Sequence, residues 1–159
     1  IKKAFLEKAK LRFITGIFYE DTVFTYELFM LSNMVSYCSK ALYHRRYRNA
    51  SIMTSRKNKK YFDSICIVYE EILCFSKKEN KIHLEVAQKY IARCAFNVFN
   101  NYEKLNREDK NNCKKQLNEI KNIILKDNAY GNKALKMRCY GKIFWFVYKV
   151  FEKTVGRLF

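Results

Sequence analysis

Three segments in the second half of the chain place hydrophobic residues at steps of three and four, the spacing of one face of an α-helix. Polar and charged residues fill the positions between them, so each segment predicts an amphipathic helix with one buried face. The hydrophobic positions are Phe62, Ile65, Cys66, Tyr69, Ile72 and Leu73 in the first segment, Leu84, Ala87, Ile91, Cys94, Val98 and Tyr102 in the second, and Cys113, Leu117, Ile120 and Ile124 in the third.

The breaks between these segments are short and polar. Asn106 precedes the third segment and is a good N-cap residue. The connections near residues 77–80 and 105–106 leave little room for a crossover, so neighbouring helices are expected to run antiparallel. The chain has no Pro and four Gly, which favours long helices over a loop-rich fold. The pattern predicts a mainly α protein, an antiparallel helical bundle.

The N-terminal third is less regular. Residues 1–10 and 22–33 are predicted to be helical, with Asp21 as the N-cap of the second of these helices. Residues 35–47 are rich in Val, Tyr and Cys with partial alternation, which predicts a strand, so one or two short strands are expected at this end of the bundle. The positions expected to face inward in the second helix are Val23, Phe24, Leu28 and Met30.

Composition supports one domain with a real core, because 49% of the 159 residues are hydrophobic and 16% are aromatic. The six cysteines include no C-x-x-C pair and each has apolar neighbours. Reduced, buried thiols in a cytoplasmic protein are the expectation, and disulfides or a zinc site are the alternatives.

The charge narrows the class of partner. Lys and Arg total 32 against 15 Asp and Glu, a net charge of +17, which favours phosphorylated ligands, nucleic acid or an anionic membrane. Basic residues alternate with an aromatic cluster around Trp145 in residues 132–159, and this segment either lies on an anionic bilayer or packs in the core. The longest apolar run, residues 143–148, is too short to span a bilayer.

Candidate chemistry begins with the paired carboxylates Glu20 and Asp21, followed about twenty residues later by basic side chains. A carboxylate can accept a proton from an attacking hydroxyl, and arginines can neutralise the charge that develops on a leaving diphosphate. The simpler alternatives are a helix cap at Asp21 and a solvated charge run in the loop. The basic residues are His44, Arg45, Arg46 and Arg48.

The order of these motifs resembles the family 2 inverting glycosyltransferases of the bacterial surface-polysaccharide kind. Those enzymes show K-x-F-L, then G-I-x-x-E-D-x-x-F, then L-Y-x-x-R-x-R-x-x-S-I, and matching segments occupy residues 3–6, 16–24 and 42–52. The likeness covers residues 1–55, which correspond to the acceptor side of the catalytic domain. The helical region 56–159 resembles the variable C-terminal tail of such enzymes in composition alone.

The resemblance implies roles for these residues. Asp21 would be the general base and Glu20 would shape the acceptor site. The arginines Arg46 and Arg48, with Arg45 and His44 beside them, would reach the donor diphosphate. It also implies a nucleotide-sugar donor, a saccharide or lipid-linked acceptor, a divalent metal (Mg²⁺ or Mn²⁺) in the full-length enzyme, and a place in the cytoplasm or at the inner face of the membrane.

One departure from the family is large. The nucleotide-binding half of a GT-A α/β glycosyltransferase ends in a D-x-D motif, and the sequence contains none. The chain is therefore expected to be a C-terminal portion of such an enzyme, inactive alone, with an apolar surface that favours self-association. The alternative function is a basic helical module that binds nucleic acid or docks on a membrane surface, although lysines spread over every helix argue against specific nucleic-acid binding.

Overall fold

The fold is a helical bundle. The computed structural model describes residues 1–44, 46, 57–79, 84–127, 136, 138–141 and 146. Among these residues there is no β-strand, which confirms the mainly α prediction. The helices are α1 (Lys3–Lys8), α2 (Glu20–Leu31), α3 (Lys59–Lys78), α4 (Leu84–Glu103) and α5 (Arg107–Lys126).

The strand predicted over residues 35–47 is wrong wherever the structure describes it. Residues 35–44 and 46 are irregular, and Val35, Tyr37 and Tyr43 are exposed. An alternating segment becomes a strand when a neighbour pairs its backbone and a core covers one face. Among the described residues, no strand pairs with this segment and no core covers one of its faces. Positions 45 and 47 lie outside the described residues.

The hydrophobic stripe of α3 forms the centre of the bundle. All six of its predicted inward positions are buried, and α2, α4 and α5 each pack against this helix. The four predicted positions of α5 are buried as well. In α4 the prediction holds in the middle of the helix and fails near its ends, where Leu84 is exposed and Tyr102 is half-buried.

Ring contacts give the helix directions. The Phe62 ring near the start of α3 lies 5.6 Å from the Tyr102 ring at the end of α4. At the other end of α3, the Tyr26 ring of α2 lies 5.9 Å from the ring of Phe75 in α3. The same Tyr26 ring lies 4.7 Å from the ring of Tyr90 near the start of α4. Because the start of each helix meets the end of the other, α3 and α4 are antiparallel, as predicted from their short connection.

Two of the helices run parallel to α3. The Lys77 ammonium at the end of α3 pairs with the Asp127 carboxylate just after α5 at 2.5 Å. Near the start of α2 the Phe18 amide donates to Ser64 Oγ at 3.1 Å, and further along the Tyr26 hydroxyl lies 2.6 Å from Ser76 Oγ. The start and end of α2 therefore meet the start and end of α3.

Helix α2 begins two residues earlier than the sequence indicates, so the prediction of Asp21 as its N-cap is wrong. Tyr19 occupies the N-cap position in a left-handed conformation (φ 65°), with no side-chain cap, and Asp21 lies inside the first turn. Of the inward positions predicted for α2, Val23 is buried and the other three are half-buried, whereas the buried Tyr26 was not predicted. The cap predicted at Asn106 is confirmed, because its side chain accepts from the Asp109 amide at 2.7 Å.

The turn that leads into α2 depends on Gly16. Its φ is +82°, and an added Cβ would meet no atom within 4 Å, so the cost of a side chain there is conformational alone. We expect Gly16→Ala to lower the free energy of unfolding by about 1 kcal/mol, measured by urea denaturation. Thr15→Ala, at the exposed neighbouring position, should have little effect, and equal losses in the two variants would contradict this account.

The prediction of buried cysteines holds in part. Cys66, Cys94, Cys113 and Cys139 are buried, whereas Cys38 and Cys74 are exposed. Burial raises the pKa of the Cys94 and Cys139 thiols to about 11 each, so both are neutral at physiological pH. These buried thiols pack as small hydrophobic side chains.

The C-terminal part of the chain contacts α4. Arg138 is buried, forms an ion pair with Glu103, and lies over the Phe99 ring at 5.8 Å. Most of the segment 132–159, including the aromatic cluster around Trp145, lies outside the described residues. Among the described helices, none combines the length and apolar character that crossing a bilayer requires.

Candidate functional site

The loop before α2 is fastened to the first turns of α3. The Phe18 ring stacks on Tyr61 with centroids 4.5 Å apart, and the Lys60 ammonium lies 4.8 Å from the centre of the Phe18 ring. Together with the hydrogen bond from the Phe18 amide to Ser64, these contacts fix the point at which α2 begins. They thereby fix the position of the carboxylate pair that follows.

Glu20 and Asp21 occupy the first turn of α2, and both are exposed. Neither belongs to an ion pair of the described residues. Glu20 lines an open cleft of about 540 Å³ together with loop residues 13–18. Asp21 lies towards α4, where burial raises the pKa of Tyr90 and the Asp21 charge adds to the same effect. Both carboxylates are therefore accessible to a ligand from solvent.

Two of the four predicted basic residues, His44 and Arg46, lie in the irregular segment after α2. His44 and Arg46 are exposed, whereas Arg45 and Arg48 lie outside the described residues. Neither His44 nor Arg46 lines the cleft that contains Glu20. The described contacts therefore group Glu20 and Asp21 with the loop before α2, and they do not bring these carboxylates together with His44 or Arg46.

A second cleft, lined by both polar and apolar side chains, opens between the start of α2, the start of α3 and one face of α4. Its volume is about 360 Å³. The floor is formed by Ile65, Val68 and Cys94. The polar lining residues are Tyr19, Thr22, Lys57, Asn97, Asn101 and Lys104. Two of these, Tyr19 and Thr22, flank the carboxylate pair in sequence, so this cleft adjoins the same turn of α2.

Two contacts order the lining of this cleft, which we call the lysine cleft. The Lys57 ammonium donates to the Tyr19 hydroxyl at 3.3 Å and lies 4.1 Å from the centre of the Tyr61 ring. On α4 the Asn101 amide donates to the Asn97 carbonyl at 2.8 Å. The prediction from sequence missed this cleft, although residues 94, 97 and 101 recur at steps of three and four on one stripe of α4 and residue 104 continues that spacing just after the helix ends.

A pair of acidic residues lies where α2 packs on α3. Burial raises the pKa of Glu27, and the nearby charge of Glu71 raises it further. A carboxyl with a folded-state pKa above its unfolded value stabilises the fold at low pH, and this contribution is lost as the pH rises through the folded pKa. The Glu27 carboxylate therefore opposes the docking of α2 at neutral pH.

We expect Glu27→Gln to raise the urea midpoint at pH 7. The gain should shrink as the pH falls through the unfolded pKa of Glu, about 4.3, because the wild-type carboxyl then becomes protonated in the unfolded state as well as in the folded state. Glu85→Gln is the matched control. The hydrogen bond from Lys89 lowers the pKa of Glu85, so its loss should lower stability slightly at pH 7. A Glu27→Gln midpoint at or below the wild-type value at pH 7 would contradict the prediction.

Hydrophobic side chains cluster on the exposed surface of the N-terminal part. A groove of about 620 Å³ runs between α1 and the end of α2. Exposed large hydrophobic residues here and in the segment that follows are Ile1, Phe13, Phe29, Met34, Val35, Tyr37, Leu42 and Tyr43. Exposed apolar surface of this kind, which includes the groove beside α1, is typical of an interface.

The described residues contain no group of three or more His, Cys, Asp or Glu side chains placed to hold a metal ion. Comparisons of the chain with known protein families, with curated proteins and with solved structures find no match.

Proposed function

We propose that this chain is the acceptor-side part of an inverting glycosyltransferase that uses a nucleotide-sugar donor, with Asp21 as the general base. The observation that carries the proposal is the placement of Glu20 and Asp21. Both are exposed on the first turn of α2. They belong to the second of three motifs whose order along the sequence resembles that of family 2 enzymes. A carboxylate that is not used as a helix cap and faces solvent is able to accept a proton.

The chemistry proposed for this turn is a single displacement. An acceptor hydroxyl attacks the anomeric carbon of the donor, and the bond from that carbon to the diphosphate oxygen breaks. The Asp21 carboxylate takes the hydroxyl proton as the new glycosidic bond forms. Glu20 accepts a hydrogen bond from the acceptor and so orients it. The diphosphate leaves with the bonding electron pair.

The basic segment after α2 is assigned to the leaving group. Arginine forms bidentate hydrogen bonds with phosphate oxygens, which suits a diphosphate whose negative charge grows as the bond breaks. Arg46 and Arg48 have this role in the proposal, with Arg45 and His44 beside them. A divalent metal, Mg²⁺ or Mn²⁺, belongs to the nucleotide-binding half, and every step assigned above uses residues of this chain.

The apolar surface of the N-terminal part supports the idea of a missing partner. Side chains such as Met34, 87% exposed, and Tyr37, 90% exposed, contribute nothing to the core of the bundle. In the proposal the nucleotide-binding half of the enzyme packs on this surface. Without that half, the same surface would promote self-association.

The test uses the polypeptide encoded by the complete open reading frame that contains this chain. It is assayed for release of nucleoside diphosphate from UDP-, GDP- and dTDP-sugars in the presence of saccharide and lipid-linked acceptors. We expect turnover by the full-length polypeptide and none by residues 1–159 alone. A full-length polypeptide that lacks a D-x-D-containing half, or that turns over none of these donors, would overturn the proposal.

A further inference from the structure

Positive charge converges on the lysine cleft, and no carboxylate lines it. Two of its nine lining residues are Lys57 and Lys104, and none of the nine is Asp or Glu. Lys104 forms no ion pair within the described part of the chain. Elsewhere on the described surface, lysines such as Lys59 and Lys89 pair with a carboxylate four residues away. Lys104 therefore differs from these paired lysines of the helix faces.

The hydrogen-bonding groups around the lysines suit an anion. The Lys57 ammonium is held by the Tyr19 hydroxyl and the Tyr61 ring, so less side-chain entropy is lost when it binds a ligand. The Tyr19 hydroxyl oxygen accepts this hydrogen bond from Lys57, so the hydroxyl proton of Tyr19 is not used in the contact. The Thr22 hydroxyl and the Asn97 amide add further donors to the lining.

The floor of the cleft is apolar and carries no charge. Ile65, Val68 and Cys94 form it, and because burial raises the pKa of Cys94 to about 11 the thiol stays protonated at neutral pH. A volume of about 360 Å³ lies at the lower end of the range for small-molecule sites, which is about 300–1,000 Å³. The space fits one phosphate group with a small apolar or planar group attached.

We propose that the lysine cleft binds a small phosphate ester, with the phosphate between Lys57 and Lys104 and the apolar part of the ligand on the floor. The site would hold that ligand beside the start of α2, because Tyr19 and Thr22 line the cleft and also lie at the N-terminal end of this helix. The proposal concerns binding alone, and it does not depend on glycosyl transfer by Asp21.

The test is an NMR titration of the ¹⁵N-labelled chain at about 150 mM salt, where long-range charge effects are screened. Phenyl phosphate, inorganic phosphate and phenol are the probes. We expect phenyl phosphate to shift the side-chain amide signals of Asn97 and Asn101 and to bind more tightly than inorganic phosphate, and we expect phenol to leave these signals unchanged. Equal binding of phenyl phosphate and phenol would overturn the assignment of the phosphate to the lysines.

Matched variants separate the site from the overall charge of the protein. Lys57→Gln and Lys104→Gln should each weaken phenyl phosphate binding by about tenfold, the effect of one hydrogen bond to a charged group. Lys114→Gln makes the same charge change at an exposed position on α5, outside the cleft, and should leave the affinity unchanged. Equal effects of all three substitutions, or no shift of the asparagine signals, would overturn the proposal. Circular dichroism establishes that each variant is folded.

Discussion

Replacing Asp21 by Asn in the proposed full-length glycosyltransferase is expected to lower the rate of sugar transfer by about 10²–10⁴-fold, the usual contribution of a positioned general base. An amide keeps the size and hydrogen-bonding capacity of the side chain but cannot take the proton from the acceptor hydroxyl. The measurement is the release of nucleoside diphosphate at saturating donor and acceptor. Glu20→Gln should have a smaller effect, chiefly on the KM of the acceptor.

The chain offers a close control for this substitution. Asp109 lies in the first turn of α5, as Asp21 does in α2, and Asp109→Asn removes the same charge from the same part of a helix. Each substitution should cost about 0.3–1 kcal/mol of stability through the helix dipole, and Asp109→Asn also changes the hydrogen bond that the Asp109 carboxylate accepts from the Asn106 side-chain amide. Only Asp21→Asn should reduce turnover. Equal turnover by the two variants would leave Asp21 without a catalytic role.

The largest expected loss of stability follows the substitution of Phe62 by Ala. This side chain of α3 is 0% exposed and packs against the Tyr102 ring of α4. Removal of a buried Phe ring leaves a cavity that the neighbouring helices fill in part, so we expect a loss of about 3–5 kcal/mol. That is a large fraction of the roughly 5–15 kcal/mol by which a domain is stable. Urea denaturation of the chain measures the loss.

The same substitution on the surface provides the comparison. Phe29 of α2 is 54% exposed, and Phe29→Ala should change the free energy of unfolding by no more than about 0.5–1 kcal/mol. A Phe62→Ala variant that is no less stable than Phe29→Ala would show that the interface between α3 and α4 is not the centre of the core.

The three long helices were predictable because their sequence pattern and their packing agree. The apolar stripe of a twenty-residue segment is defined by many positions, so single exceptions such as Leu84 do not obscure it. The start of α5 was equally clear, since the Asn106 side chain caps it through a contact only three residues away. Local chemistry and tertiary contacts indicate the same answer in this part of the chain.

The N-terminal third departs from its prediction because long-range contacts decide its structure. Helix α2 starts at Glu20 since Phe18 is fixed to Ser64, 46 positions along the chain, and this places Tyr19 in a left-handed conformation. No local pattern indicates such a contact. The alternation in residues 35–47 indicated a strand, but a strand requires a partner that the described residues do not provide.

The two candidate sites also differ in how far the sequence could predict them. The exposed position of Glu20 and Asp21 follows from their place at the start of a predicted helix. The lysine cleft does not, because Lys57, just before α3, and Lys104, just after α4, line one cleft only when these helices pack. The stripe of residues 94, 97, 101 and 104 was visible in the sequence, but its partner across the cleft was not.

Burial is distributed unevenly between the helix that carries the carboxylate pair and the helix on which it packs. Two residues of α2 are buried, whereas α3 has ten. The free energy of local opening rises with the number of buried contacts, so amide hydrogens of α2 should exchange with solvent faster than those of α3. Glu20 and Asp21 therefore lie on an element that can open briefly while the rest of the bundle stays folded, and in the proposed reaction this opening would let the acceptor enter and leave.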